Sequence, residues 1–327
     1  METNLGTRQA RGFQLGRLAL TAIAPIAWGS TYYVTREYLP SDAALWGGVF
    51  RALPAGLILL LVCRRLPRGS WWWKSLVLGT LNIGAFFALV YAVAQILPSS
   101  IAATTMAVSA GVLMLMAWLL MGERPTRWPL IGAGLGFLGV AIMVFDGQSQ
   151  INMLGILLSL TAMGISGLGF ILAKKWSSGQ PILDTTAWQL VAGGLLLLPV
   201  AGLVQGPPSA LDGQAILGFG YLSIVATAAA FLAWFSGLRY LPSATVGLLG
   251  LLNPVTGVIL GTLLASETLG VQSLSGMAMV LAGVFLGFLA NRVQVKTSDR
   301  DQAHATVSSL DQHSLEQRVA CPERPQS

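Results

Sequence analysis

Arg51 sits about nine residues into an apolar run, which at roughly 1.5 Å per helical residue puts a fixed positive charge near the middle of a bilayer. A charge at that depth is costly and is retained where it meets a partner or a substrate. Its chemistry is binding: a guanidinium holds a carboxylate, or bonds helix carbonyls and hydroxyls to fix a bundle. Polar and aromatic residues of the first half fall at helical spacing around it, with Trp28 four residues before Tyr32, Asn82 four before Phe86, and Ser109 on a later run. In the second half the counterparts are sparser: Ser166, Trp188, Gln189, Trp234 and Asn253. Facing a common cavity, these residues give an apolar, aromatic-walled site with a few hydrogen-bonding groups, the usual lining of a small-molecule pocket. The same residue types also serve as interfacial anchors and interhelical bonds.

Acid–base groups are scarce. No Asp or Glu falls within any predicted span, and His304 and His313 both lie near the C-terminus. Glu123 and Glu267, at span ends, are the candidates for coupling movement of a substrate to protons; the plainer reading is helix ends meeting interfacial water. With no paired carboxylates and no base beside a nucleophile, an enzyme is disfavoured. Gly134-x-Gly136-x-x-Gly139 matches the dinucleotide-binding pattern in letters, but it lies inside a hydrophobic helix with no strand before it. It reads as helix packing, as do the four-residue spacings Gly132/Gly136, Gly257/Gly261 and Gly283/Gly287, and no cofactor is expected. Such faces can pack within one chain or between two in a homodimer. Cys63 and Cys321 are far apart and lack ligand spacing, so no metal site is expected either.

The elements that must position these residues are membrane helices. At 54% hydrophobic and 10% charged, the chain cannot cover a soluble globule of 327 residues with polar surface. Runs able to cross ~30 Å of hydrocarbon lie at 18 to 34, 45 to 62, 76 to 94, 101 to 121, 130 to 145, 153 to 173, 186 to 204, 216 to 235, 246 to 265 and 271 to 290. The prediction is an all-α membrane protein of ten transmembrane helices, since no alternating apolar and polar strands suit a barrel.

The two halves are copies. Leu97-Pro98-Ser99 returns as Leu241-Pro242-Ser243, Glu123 as Glu267, Gly132 as Gly276 and Gly139-Val140 as Gly283-Val284, all at one offset. Each copy holds five spans, an odd number, so the second must be inverted relative to the first; inverted repeats are typical of alternating-access transporters. The organisation expected is a cytoplasmic N-terminus over 1–17, a first repeat over 18–145, a second over 153–290 and a disordered cytoplasmic tail over 291–327. Asn253-Pro254 should interrupt the ninth span at the position matching Ser109-Ala110, where the first copy has no proline.

All but Arg36 and Arg51 of the 19 Lys and Arg residues fall on one side when the N-terminus is cytoplasmic. The positive-inside rule therefore puts both termini in the cytoplasm and accounts for the +6 charge without nucleic acid. The first span, though preceded by arginines, runs past signal-peptide length and reads as a retained helix.

Ten spans in a five-plus-five duplication, Trp28-Gly29-Ser30, Arg51 and the Leu-Pro-Ser before spans four and nine resemble the EamA family of the drug/metabolite transporter superfamily. Ala27-Trp28-Gly29-Ser30-Thr31-Tyr32, Leu81-Asn82-Ile83-Gly84, Lys174-Lys175-Trp176 and Trp234-Phe235-Ser236-Gly237-Leu238 are similar to its PecM-like branch, associated with pigment efflux. The resemblance implies a bacterial inner-membrane exporter of an amino acid, pigment or related small metabolite, with the lipid bilayer as its other partner. It also implies a central cavity about which the halves rock. The alternative is a membrane regulator acting through a cytoplasmic partner.

Overall fold

The computed structural model describes residues 2–40, 44–96, 107–144, 152–264 and 270–286. Among them every regular element is a helix. In chain order these are α1 (Glu2–Tyr38), α2 (Ala44–Cys63), α3, α4 (Ser109–Met121), α5 (Arg127–Val144), α6 (Met153–Trp176), α7 (Ile182–Gln205), α8, α9 and α10 (Val271–Leu286). α3 joins Trp71–Gly79, a π-helical segment Thr80–Gly84 and Ala85–Ile96; α8 joins Gly213–Ser223, a π-helical segment Ile224–Ala229 and Ala230–Tyr240. α9 is broken at Leu251 into Ser243–Gly250 and Leu252–Leu264.

Six of these helices, α2, α3, α6, α7, α8 and α9, are long and apolar enough to cross a membrane, and α4, α5 and α10 are shorter apolar helices. Their outer faces carry large apolar side chains with nothing of the protein over them, Leu61, Leu119, Leu203, Leu217 and Val271 among them. That surface suits hydrocarbon and does not suit water. Helices with apolar residues all round are what such a solvent selects.

Several expected boundaries move. α1 runs Glu2–Tyr38 rather than 18 to 34, α8 runs Gly213–Tyr240 rather than 216 to 235, α3 begins at Trp71 rather than 76, and α7 at Ile182 rather than 186. An apolar window misses the first turn of α7 because Asp184, Thr185 and Thr186 are polar, yet all three are buried. The expectation of spans without carboxylates is thereby corrected: Asp184 is only 4% exposed, with the Arg65 guanidinium 3.7 Å away. Its place in the first turn also suits the positive end of the helix dipole. The tail over 291–327 and Glu267 lie outside the described residues.

Contacts repeat when the halves are exchanged. α2 lies along α7; α1 packs on α8 and α9 as α6 packs on α3 and α4; α4 meets α9. The π-helical segments begin at Thr80 and Ile224, the same offset that separates Leu97 from Leu241. Leu251, where α9 breaks, is equivalent to Ala107, in the turn that precedes α4. A turn thus stands at the equivalent position in the first copy, where there is no proline, and Pro254 falls in the first turn of the second piece of α9, where a missing N–H costs little.

Small residues set the closest crossings. A Cβ on Gly132 would meet the Gly283 carbonyl oxygen at 2.5 Å, and one on Gly139 the Gly276 carbonyl oxygen at 2.7 Å, which joins α5 to α10 within one chain. A Cβ on Gly136 would run into the Leu251 side chain, so two glycines of the dinucleotide-like pattern are packing surfaces. Gly134 has nothing within 4 Å. Gly132→Ala should destabilise the chain by about 1–3 kcal/mol because the obstacle is backbone, whereas Gly134→Ala should be neutral or slightly stabilising. Melting temperatures of the two purified variants in detergent check this; equal behaviour would contradict the α5–α10 crossing.

Candidate functional site

The π-helical turn in α8 changes where backbone donors go. The N–H of Ala230 is directed to the carbonyls of Val225 and Thr227, passing over Ala226 four residues back. The Ala226 oxygen instead receives two side-chain donors from α1 and α2: Trp28 Nε1 at 3.1 Å and an Arg51 terminal nitrogen at 3.0 Å. Arg51 Nε donates to Thr227 Oγ1 at 3.0 Å, and the guanidinium carbon stands 5.1 Å from the centre of the Phe87 ring on α3. Charge-assisted bonds of this kind are worth about 1.5–3 kcal/mol. Three helices therefore meet at one carbonyl, with α3 beside them through the Phe87 ring, and π-helical turns often mark functional sites.

Beside this junction lies an aromatic cluster. Trp28 is 5.1 Å from Trp234 and 5.5 Å from Phe231, and Phe170 of α6 reaches both Trp234 and Phe235. Trp234 is 4% exposed, and its Nε1 finds no hydrogen-bond partner among the described residues. Asn253, at the start of the second piece of α9, likewise has a buried Oδ1 without a partner among them, and its backbone oxygen lies against Gly29 of α1. A buried donor or acceptor left unmet costs about 1–3 kcal/mol, so each is either a strained position or one awaiting a ligand.

Of the residues singled out from the sequence, Trp28, Arg51, Trp234 and Asn253 come together here. Asn82 does not join them directly. It is fully buried, donates from Nδ2 to Gln189 Oε1 at 2.8 Å, and turns its Oδ1 toward Gly169 of α6. Phe86, half-buried, pairs with Phe87. Ser109 opens α4 at the position equivalent to Asn253. The side chain of Tyr32 lies outside the described residues. Phe170, Phe231 and the Ala226 carbonyl give no sequence signal, since apolar residues in an all-apolar helix mark no face and a carbonyl has no letter; Phe235 is marked only by the Trp234–Leu238 resemblance, and Thr227 is a lone hydroxyl among small apolar residues.

Glu123 is at the other kind of position. It follows α4, and its Oε1 is 2.6 Å from Lys174 Nζ at the end of α6, while Oε2 accepts the Ser243 N–H at 3.0 Å. Lys174 also donates to Ser243 Oγ and to the Leu241 carbonyl. Burial pushes the Glu123 carboxyl up, but the Lys174 hydrogen bond and charge together with the Ser243 N–H outweigh it, and the net pKa lies below 4.5. Arg65, Arg124, Lys174, Lys175 and Arg239 all gather at this end, hereafter the basic end.

The EamA-like transporter family model matches residues 16–145 and again 153–289, so each half matches it separately. The chain belongs to the EamA-like transporter family. It is 33% identical over 265 residues to Protein PecM of Dickeya dadantii (strain 3937), covering 80% of this chain and 89% of that protein. It is 27% identical over 298 residues to a probable amino-acid metabolite efflux pump of Salmonella typhimurium, covering 85% and 96%. One solved crystal structure superposes with a TM-score of 0.73 at 17% identity, covering 85% of this chain and 98% of that chain, which shows a shared fold. The EamA-like chain is thus a multi-pass membrane protein with transporter relatives.

Two outcomes are expected. Arg51→Lys keeps the charge but cannot fork to Thr227 and Ala226, so it should lose about 1–3 kcal/mol in detergent melting; an unchanged melting temperature would contradict the junction. Because the folded pKa of Glu123 is depressed, its contribution is present above the unfolded value and is lost as pH falls through the folded one. Native protein should lose stability below about pH 4.5 more steeply than Glu123→Gln, and parallel pH curves would be the contrary result.

Proposed function

We propose that this chain exports a small metabolite, an amino acid, a pigment or a related compound, across a bacterial inner membrane by alternating access. Ten transmembrane helices form two inverted five-helix repeats with both termini cytoplasmic. The substrate passes between the halves, against Trp28, Tyr32, Asn82, Phe86, Ser109, Trp234 and Asn253. Arg51 fixes the α8 junction and lends its positive charge to the wall, where a substrate carboxylate is attracted.

The observation that carries this reading is the pairing of irregularities. A π-helical segment stands at the same repeat position in α3 and α8, and turns stand at equivalent positions before α4 and inside α9. Interrupted helices at corresponding places in two repeats are where transporter sites lie. The unmet Trp234 Nε1 and Asn253 Oδ1 stand beside one such pair and offer a donor and an acceptor to a small polar ligand. Membership of a transporter family and the gathering of basic residues at one end support the same reading. The ion-paired Glu123, kept ionised at neutral pH, supports a latch more than a proton carrier.

Reconstituted full-length protein should give saturable uptake of at least one member of a labelled amino-acid panel, measured with and without an imposed pH gradient. Acceleration by the gradient would assign proton coupling; indifference would assign exchange or uniport; flux equal to protein-free liposomes for every compound would contradict the proposal. Deleting 295–327 should leave that flux intact, whereas a regulator acting through a cytoplasmic partner would lose its effect. For a compound so identified, Trp234→Phe keeps the ring but removes the N–H, and should raise KM about tenfold with the maximal rate little changed.

A further inference from the structure

At the basic end a cavity of about 380 Å³ opens between the ends of α4, α6 and α8 and the start of α9. Among the described residues its charged lining is Arg124, Lys174 and Arg239 against one carboxylate, Glu123. Pro125, Pro129 and Pro242 line it too and give it stiff walls. The described lining therefore has a positive surplus, and its carboxylate is held by its own chain: Glu123 bonds Lys174 Nζ at 2.6 Å and accepts from the Ser243 N–H at 3.0 Å. The Lys174 side chain is 11% exposed and the Glu123 side chain 32%, so the cation is shielded while the carboxylate that shields it can still be reached from the cavity.

That contact also ties three elements together. Glu123 belongs to the link between α4 and α5, Lys174 to α6, and Ser243 to α9, so the pair bridges the first repeat to the second at this end. Releasing Glu123 frees the link without unfolding a helix. A carboxylate arriving in the cavity can take both of its donors, because an acetate-sized group presents the same two oxygens. The exchange is nearly balanced in charge and hydrogen bonds, one carboxylate replacing another, so little energy separates the tied state from the released one.

We propose that this cavity is the loading site for a substrate carboxylate, which displaces Glu123 from Lys174 and the Ser243 N–H and so unties the basic end. The substrate class is then a compound carrying a free carboxylate, which includes a zwitterionic amino acid and excludes a wholly uncharged metabolite. This rests on the transporter reading above, and it assigns Glu123 as a tethered stand-in for the substrate rather than as a proton carrier.

The test uses full-length protein in proteoliposomes carrying Cys63→Ser and Cys321→Ser, with Ala117→Cys placing a single thiol in a buried wall of the cavity. Reaction of that introduced thiol with a membrane-impermeant maleimide reports opening of the basic end. Acetate should raise the labelling rate several-fold, and chloride at equal ionic strength should not. Glu123→Gln should label at the high rate without acetate, and Lys174→Gln should label at the high rate and ignore acetate. Equal responses to acetate and chloride would overturn the loading site, since they indicate screening of an ordinary ion pair; so would slow labelling of Glu123→Gln. Saturable uptake of a panel compound together with that failure leaves the transporter reading standing. Acetate-specific opening in a protein that moves no compound upholds the site and removes transport.

Discussion

The Ala226 carbonyl is the contact on which the arrangement of the two halves depends. A regular α-helix would close that oxygen on the N–H of Ala230, and Trp28 Nε1 and one terminal nitrogen of Arg51 would then compete with that N–H for it in an apolar interior. The π-helical turn costs α8 some regularity and releases one strong acceptor at the junction of α1, α2 and α8. The Arg51 cation becomes tolerable in an apolar interior because it donates to a carbonyl and a threonine hydroxyl and lies over an aromatic face. Polar satisfaction, rather than propensity, decides the local shape of α8.

Duplication explains where the junction falls, and divergence explains why only one side carries it. The π-helical segment of α3 begins at the equivalent residue, but the positions corresponding to Trp28 and Arg51 are Leu172 and Leu195, which have nothing to donate. There Asn82, the equivalent of Ala226 itself, bonds Gln189 through Nδ2, while its buried Oδ1 has no partner among the described residues. One repeat thus holds its irregular turn with backbone and the other with a side-chain amide pair. The two near-symmetric frameworks thus have unlike interiors.

Much of this is legible in the amino-acid order. The offset linking Leu97 to Leu241 marks the repeat, the isolated Arg51 marks the junction, and the glycine spacing around Gly132 marks the crossing with α10. The π-helical turns are not legible: Thr80–Gly84 and Ile224–Ala229 are mostly small and apolar residues that an α-helix accepts equally, and the turn is selected by partners distant in sequence. Lys174 reads in the sequence as one of many basic residues fixing topology and as part of the Lys174-Lys175-Trp176 resemblance, but its pairing does not, because its partner Glu123 is far away in the chain and belongs to a different link. Asp184 escapes for a different reason, since a run of polar residues at a helix start dilutes the apolar signal that finds the helix.

Alternating access makes opposed movements at the two ends, and distances between spin labels read them directly. On the Cys63→Ser, Cys321→Ser background, one labelled pair at Met121 and Tyr240 spans the basic end, and another at Tyr38 and Leu217 spans the opposite end; all four positions are exposed. Adding the amino-acid panel to reconstituted protein should lengthen one distance while it shortens the other. Two distance distributions that both stay fixed, or that lengthen together, would contradict a pair of halves rocking about the Ala226 junction.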